Sequence, residues 1–175
     1  LYSRMMQMVY ISDLLSVSLT SPGSMKGRDI TETSGDERRR RRGHLMPDML
    51  FDTHAFITMF ERQPGWEIVR DYMRAVDDDD CSEFIPTVVL TEIMYLYTLQ
   101  EEHTIAEQRI VQIMNSRMKT LPMVESISIV AGGIKKPGIA LADASIGATA
   151  QVHGLSVLSG DKHFDQMNIQ RIGYP

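Results

Sequence analysis

The stretch ALADASIGATAQVHGLSVLSGDKHF, residues 140–164, predicts a helix followed by a buried strand. Its first part, Ala140 to His153, is rich in small residues and is followed by Gly154, a residue that commonly ends helices. Leu155–Leu158 is a short apolar run of the kind found in strands that are covered on both faces. Asp161 comes shortly after that strand. A helix of small side chains beside a buried strand indicates an α/β domain.

The same alternation of strands and helices extends upstream to Met49 and downstream to Ile172. The predicted strands are Met49–Phe51, Glu83–Thr87, Leu121–Val124, Leu155–Leu158 and an edge strand at Met167–Ile172. The first predicted helix begins at Pro64 and ends before the acidic turn Asp77–Asp80. The other predicted helices are Val88–Leu99, about Glu101–Met118, and Ala140–His153. This order predicts an α/β fold, a three-layer α/β/α sandwich with a mainly parallel central sheet.

The first 47 residues differ in composition from the rest of the chain. Residues 20–47 have few apolar side chains and include the five-arginine run Arg38–Arg42. We therefore predict two regions, a flexible N-terminal extension or linker at 1–47 and one folded domain at 48–175. The arginines either contact nucleic-acid phosphates through their charge or belong to a solvated linker. Met46 and Met49 are both plausible natural starts.

Composition is ordinary for a globular protein, with 43% hydrophobic residues and 23% charged residues. No stretch reaches the ~20 apolar residues that a membrane-spanning helix needs. The single Cys81 excludes an intramolecular disulfide. These features predict a soluble, cytoplasmic protein. Residues 48–175 hold ten basic and eighteen acidic side chains, a balance of −8. Such a charge is unusual for a nucleic-acid binder, unless some of the acids bind cations.

Two aspartates follow predicted parallel strands. Asp52 comes directly after Met49–Phe51, and Asp161 comes after Leu155–Leu158. In open parallel sheets, ligands bind beyond the carboxyl ends of the strands. Each aspartate is equally understandable as a helix N-cap or a turn residue.

Two further acids lie in apolar helical segments. Glu92 is surrounded by the segment VVLTEIMYL, residues 88–96, which predicts a largely buried helix, and Asp143 lies in IALADASI, residues 139–146. A buried carboxylate needs a cation, a partner or a proton, although Asp143 is also explained as an N-cap. Two carboxylates ~4 Å apart repel by about 4 kcal/mol at an effective dielectric of ~20. If the acids converge, a divalent ion relieves this repulsion, and oxygen ligands favour Mg²⁺ or Mn²⁺ over zinc.

Four segments together resemble a known family. They are MLFDTHAF at 49–56, TEI at 91–93, LADASIGATA at 141–150 and GLSVLSGDKHF at 154–164. In this order they are similar to the PIN-domain ribonucleases, and among these to the VapC-type toxins of prokaryotic toxin–antitoxin pairs. The resemblance covers nearly all of residues 48–172 and none of 1–47.

The resemblance implies a metal site and an activity. Asp52, Glu92, Asp143 and Asp161 match the family's acidic quartet, which implies catalytic and metal-binding roles for them with Mg²⁺ or Mn²⁺ as cofactor. Thr53 and Ser159 match hydroxyl residues beside the site. Members often carry an acid where this chain has His163, and Asp165 is either a substitute outer ligand or a solvated surface residue.

The implied reaction is endonucleolytic hydrolysis of RNA, leaving a 5′-phosphate and a 3′-hydroxyl. Implied partners are the RNA substrate, a cognate antitoxin protein and a second copy of the chain in a homodimer. An antitoxin of this kind would place a basic residue in the carboxylate pocket. Lys135, Lys136, Arg62 and Lys162 are candidate RNA contacts, or ordinary surface charges.

Three other functions compete with a toxin. A haloacid-dehalogenase-like phosphatase also has an aspartate after its first strand, but it needs a second aspartate where this chain has His54. A non-catalytic PIN-like RNA-binding or scaffold module is disfavoured by the intact quartet. A housekeeping PIN ribonuclease in RNA processing would have the same acids, so the sequence does not separate it from a toxin.

Overall fold

A computed structural model describes residues 47–77, 82–100 and 102–175. The predicted extension, apart from Pro47, lies outside these residues, as do Arg38–Arg42 and most of the predicted acidic turn Asp77–Asp80. The division of the chain at residue 47 therefore stays a prediction.

The strands form one five-stranded sheet in which every pair of neighbours is parallel. The order across the sheet is β3-β2-β1-β4-β5. The strands are β1 Met49–Phe51, β2 Glu83–Pro86, β3 Lys119–Leu121, β4 Ser156–Leu158 and β5 Arg171–Ile172. β1 is the central strand, and its Leu50 lies opposite Phe84 of β2 and Val157 of β4. The predicted parallel sheet is confirmed.

Helices cover both faces of the sheet, which gives the predicted three-layer α/β/α fold. The helices in the described part of the chain are α1 Thr53–Phe60, α2 Trp66–Asp77, α3 Thr87–Leu99, α4 His103–Met114, α5 Glu125–Ile134, α6 Leu141–His153 and α7 His163–Gln166. Gly154 ends α6 in a left-handed conformation, with φ 65° and ψ 33°, as its position in the sequence predicts. No helix among the described residues has both the length and the apolar character to cross a membrane.

The core lies where the central strands meet the helices. All three residues of β1 are fully buried, and so are Val157 and Leu158 of β4. The rings of Phe51 and Phe56 pack with their centroids 5.6 Å apart and attach α1 to the sheet. Full burial of such a side chain contributes roughly 1.5–3 kcal/mol. The ends of β1 and β4 are therefore held at rigid positions.

The strand order reverses between β1 and β4. From β1 the chain moves outward through β2 to β3, whereas β4 and β5 lie on the other side of β1. Such a reversal opens a crevice at the carboxyl ends of the two strands, because the connections leave in opposite directions. Asp52 and Ser159 are the first residues after β1 and β4. They lie at that crevice.

The strand predicted at Leu121–Val124 starts two residues and ends three residues too late in the chain. The structure has β3 at Lys119–Leu121, paired with β2 through Phe84 and Lys119. Pro122 lacks the N–H that a ladder hydrogen bond requires. The apolar Met123 and Val124 that suggested a strand are exposed and lead into α5.

Two further expectations about helices need correction. The helix bearing Glu92 is not largely buried, since only Val89, Ile93 and Tyr97 of α3 are buried and Tyr95 and Leu99 are 58% and 62% exposed. The predicted helix from about Glu101 to Met118 is shorter, because α4 ends at Met114. The sequence also did not predict α5, which packs against α6 through Ile127 and Ala131.

Candidate metal centre

Asp52 is a buried carboxylate at the end of the central strand. It is 3% exposed, and it occupies the N-cap position of α1 without making a side-chain capping bond. Its Oδ2 instead accepts a hydrogen bond of 2.5 Å from the hydroxyl of Ser159. The N-cap explanation for Asp52 is therefore not supported by its contacts, and its carboxylate faces the crevice.

Ser159 connects the end of β4 to both strand-end aspartates. Besides donating to Asp52, its Oγ accepts the backbone N–H of Asp161 at 2.9 Å. Asp161 in turn accepts the backbone N–H of His163 on Oδ1 at 2.8 Å. The turn explanation for Asp161 is thus correct for one carboxylate oxygen. Oδ2 of the same carboxylate lies 3.2 Å from the Nδ1 of His163.

Glu92 reaches the crevice from the half-buried middle of α3. Its Oε2 accepts a 2.6 Å hydrogen bond from the hydroxyl of Thr53, the residue after Asp52. Thr53 and Ser159 therefore have the same role, because the hydroxyl of each donates a hydrogen bond that orients one acid. The sequence predicted both as auxiliary residues beside the site.

Asp143 lies in the first turn of α6, where Ala140 is the N-cap residue. The N-cap explanation for Asp143 is therefore wrong, although a carboxylate in the first turn is favoured by the helix dipole. Its Oδ2 lies 3.3 Å from the Nδ1 of His163. Ligand atoms of Asp143, Asp161 and His163 all lie within 4.8 Å of one another. The sequence showed His163 only as a departure from the family pattern. Its contact with Asp143 joins two different helices and therefore could not be predicted from the sequence.

Electrostatic coupling links the acids. Burial raises the pKa of Asp52 to about 7, the Ser159 bond opposes this rise, and the charges of Asp143 and Glu92 add to it. Burial also raises the pKa of Glu92. The hydrogen bond from Thr53 opposes this rise, and the negative charge of Asp143 adds to it. The charge of Asp143 therefore disfavours the ionised forms of both Asp52 and Glu92, and a nearby cation would offset this effect. Their role as metal ligands stays a prediction.

A protein-family model for the PIN domain matches residues 49–170, which is more than half of the chain. The chain belongs to the PIN-domain family. The match begins at β1 and ends just before β5, so it includes all four acids. No curated protein matches the sequence.

Solved structures of bacterial proteins have the same fold as this PIN domain. VapBC2 from Rickettsia felis, solved bound to a DNA fragment from their promoter, is 13% identical, with a TM-score of 0.61 over 73% of this chain and 99% of that chain. DNA-bound VapBC from Salmonella typhimurium is 19% identical, with a TM-score of 0.60 over 74% of this chain and 100% of that chain. VapC20 from Mycobacterium tuberculosis, described as a sarcin-ricin loop cleaving toxin, is 12% identical, with a TM-score of 0.59 over 73% and 99%. At these identities the similarity establishes a shared fold and no more.

Asp165 of this PIN domain forms a salt bridge with Arg171. Arg171 donates from Nε and Nη2 to its two carboxylate oxygens, each at 3.0 Å. These bonds hold the pKa of Asp165 below its usual value. Arg171 also donates from Nη1 to the carbonyl of Ser159 at 3.0 Å. Asp165 thereby positions an arginine that supports the Ser159 loop, and its predicted role as an outer ligand stays a prediction.

Tyr174 joins helix α1 to the loop that carries Asp161. Its hydroxyl lies 2.7 Å from the Nδ1 of His54 and 3.5 Å from the hydroxyl of Thr58, both on α1. Gly160 fits closely here, because an added Cβ would lie 2.6 Å from the His54 ring. The sequence gave no signal for this contact, since His54 and Tyr174 are 120 residues apart.

Tyr174→Phe is expected to destabilise the PIN domain by about 2 kcal/mol, because it removes the hydrogen bonds of the Tyr174 hydroxyl to His54 and to the Thr58 hydroxyl. Thermal denaturation should show a Tm lower by roughly 4–8 °C. Tyr95→Phe is the matched control, since Tyr95 is 58% exposed on α3. Equal Tm values for the two variants would show that the Tyr174 hydroxyl contributes nothing.

Proposed function

We propose that this PIN domain is a metal-dependent endoribonuclease and the toxin of a toxin–antitoxin pair. The observation that carries the proposal is Asp52. It is a buried carboxylate at the reversal of strand order, its pKa is raised to about 7, and the charges of Asp143 and Glu92 contribute to that rise. A protein keeps such a group when its charge is needed for function.

The donor set suits a divalent cation. We propose Asp52, Glu92, Asp143 and Asp161 as the metal ligands, since carboxylate oxygens are the donors that Mg²⁺ and Mn²⁺ bind in proteins. A cation near Asp52 would offset the charges that raise its pKa. We do not include Asp165 in this proposed donor set, because both of its carboxylate oxygens accept hydrogen bonds from Arg171.

The bound ion would polarise a phosphate ester of the RNA and lower the pKa of a water molecule. The protein itself supplies positions. Ser159 holds Asp52 and Thr53 holds Glu92 in single orientations, so that both carboxylates are placed before RNA binds. The backbone N–H of His163 holds Asp161 in the same way. Rigid positioning of this kind lowers the barrier because no reorganisation is needed during the reaction.

RNA phosphates need cationic contacts outside the carboxylates. Lys136 donates to the backbone carbonyl of Gln166 at 2.6 Å, which places it beside α7, and Lys162 directly precedes that helix. Lys162 is thus adjacent to His163 in the chain, and Lys136 contacts the last residue of the same helix. We propose the surface around this helix as the RNA contact. Arg62 lies over the Trp66 ring at 5.4 Å and is a second candidate.

We propose an antitoxin protein and a second copy of the chain as partners. Two observations support protein partners. Structures with this fold include VapBC complexes, and α3 has the exposed apolar side chains Tyr95, Leu96 and Leu99. Burial of such side chains is a common source of association energy. An antitoxin arginine or lysine in the crevice would form charge-assisted bonds with the same acids.

The proposal is tested by inducing the full chain in a bacterial host. We expect growth arrest together with fragmentation of cellular RNA, and neither effect from Asp52→Asn at equal expression. Growth curves and RNA 5′-end sequencing measure the two effects. The RNA ends should carry a 5′-phosphate.

The alternatives give different results in the same experiment. If both proteins arrest growth alike, the effect is not catalytic. If neither does, while the purified protein cleaves RNA with Mn²⁺, the protein is a housekeeping ribonuclease. A purified protein that binds RNA without cleaving it under any metal condition would be a non-catalytic module.

A further inference from the structure

The imidazole of His163 faces two of the acids at once. Its Nδ1 lies 3.3 Å from Oδ2 of Asp143 and 3.2 Å from Oδ2 of Asp161. All three side chains are partly buried. They come from separate elements, because Asp143 is on α6, Asp161 is on the loop after β4 and His163 begins α7. Asp161 and His163 are two residues apart in the chain, and the tertiary structure brings Asp143 to them.

These distances fit ligands of a shared ion better than two hydrogen bonds. The common N–H···O distance is about 2.9 Å, with an upper range near 3.2 Å. A single Nδ1–H also cannot point at two carboxylates together. Neighbouring ligands of an octahedral ion, each about 2.2 Å from it, lie about 3.1 Å apart. Nδ1 of His163 lies 3.2 Å and 3.3 Å from the two carboxylate oxygens, which is close to that spacing, and all three donor atoms lie within 4.8 Å of one another.

Backbone contacts hold the donors in this arrangement. Oδ1 of Asp161 accepts the His163 backbone N–H, which leaves Oδ2 facing the imidazole. The Asp161 backbone N–H donates to Ser159, whose hydroxyl also binds Asp52. The position of His163 is therefore fixed by the same contacts that fix the acids.

We propose that Nδ1 of His163 is a ligand of the metal bound at this site, and that it makes the site selective for Mn²⁺ over Mg²⁺. The inference rests on the proposed metal-dependent function and adds a nitrogen donor to its carboxylates. Mg²⁺ is a hard ion that takes oxygen ligands, whereas imidazole favours transition metals. With His163 as a ligand, the site has a mixed donor set of one nitrogen and several oxygens.

Metal binding to the full-length protein tests the inference without relying on activity. Calorimetry gives the affinities for Mn²⁺ and Mg²⁺, and pulsed electron paramagnetic resonance of bound Mn²⁺ detects coupling to a ligand nitrogen. We expect nitrogen coupling in the wild type and its loss in His163→Asp, which still binds metal. The ratio of Mn²⁺ to Mg²⁺ affinity should fall by about tenfold in that variant, since it exchanges nitrogen for oxygen. His163→Gln is a second variant, which should also lose the coupling.

The matched control is His153→Asp. His153 is exposed at the other end of α6, ten residues from Asp143 and therefore about 15 Å away along the helix. This variant should keep the coupling and the affinity ratio of the wild type. Mn²⁺ binding without nitrogen coupling, or an unchanged ratio in His163→Asp, would overturn this inference alone. Failure of the wild type to bind either ion would overturn the proposed function as well.

Discussion

Asp143→Asn is expected to lower RNA cleavage by at least about 10³-fold, because a bound ion supplies several kcal/mol to the transition state and each 1.4 kcal/mol is a factor of ten. The variant should remain folded. Removing the charge relieves Asp52 and Glu92, whose pKa values the Asp143 carboxylate raises. The same change loses about 0.3–1 kcal/mol of helix-dipole stabilisation in the first turn of α6. These two effects oppose each other, so Tm should change by only a few degrees.

Single-turnover cleavage of a labelled RNA, with Mg²⁺ and with Mn²⁺, measures the loss. Asp71→Asn is the matched control, since Asp71 is exposed on α2 and contacts Arg70. It makes the same chemical change on another helix and should cleave like the wild type. Retention of Mg²⁺-dependent cleavage by Asp143→Asn would show that Asp143 is not part of the metal site.

Asp52→Asn is expected to stabilise the metal-free protein at pH 8 and to remove much of the pH dependence of its stability. The pKa of Asp52 is raised from 3.8 to about 7 in the folded protein, chiefly by burial. Between these values the folded state binds more protons than the unfolded state. The contribution of Asp52 to the free energy of unfolding is therefore highest below pH 4, and it falls as the pH rises to 7. A shift of this size corresponds to about 4 kcal/mol.

Urea denaturation in EDTA between pH 5 and pH 8 measures this effect. The wild type should lose stability across this window, and Asp52→Asn should lose less by roughly 2 kcal/mol or more. Asp71→Asn should follow the wild type, since its side chain is exposed. Addition of Mn²⁺ should restore wild-type stability at pH 8, because a ligand that binds only the folded state stabilises it. If the free energy of unfolding depends on pH in the same way for the wild type and for Asp52→Asn, the pKa of Asp52 is not raised by burial.

The strands that carry the site were predictable because their sequences are short and fully apolar. Met49–Phe51 and Leu155–Leu158 have the continuous apolar pattern of central parallel strands, and the structure buries β1 and β4 accordingly. The helix after Ala140 was predictable because its small residues and Gly154 mark its packing and its end. Local pattern and local structure agree at these elements.

Helix α5 shows where local pattern fails. Its sequence, ESISIVAGGI, has β-branched residues and two glycines, which disfavour a helix. The segment is helical because Ile127 and Ala131 pack with Ala148 of α6, so tertiary contacts outweigh propensity. The exposed side of α3 was misjudged for a related reason. When a helix is apolar on all sides, its sequence does not show which face packs against the rest of the domain.

The parallel α/β fold, the membership of the PIN-domain family and the positions of the acids after β1 and β4 were predictable, because they depend on short apolar segments and on motif order. The contacts of each acid were not predictable, because they depend on how distant segments pack together. Ser159 binds Asp52 across 107 residues, Thr53 binds Glu92 across 39, and His163 faces Asp143 across 20. Such contacts form where separate elements meet at the reversal of strand order, and a hydrogen bond depends on distances in space that no local sequence pattern encodes.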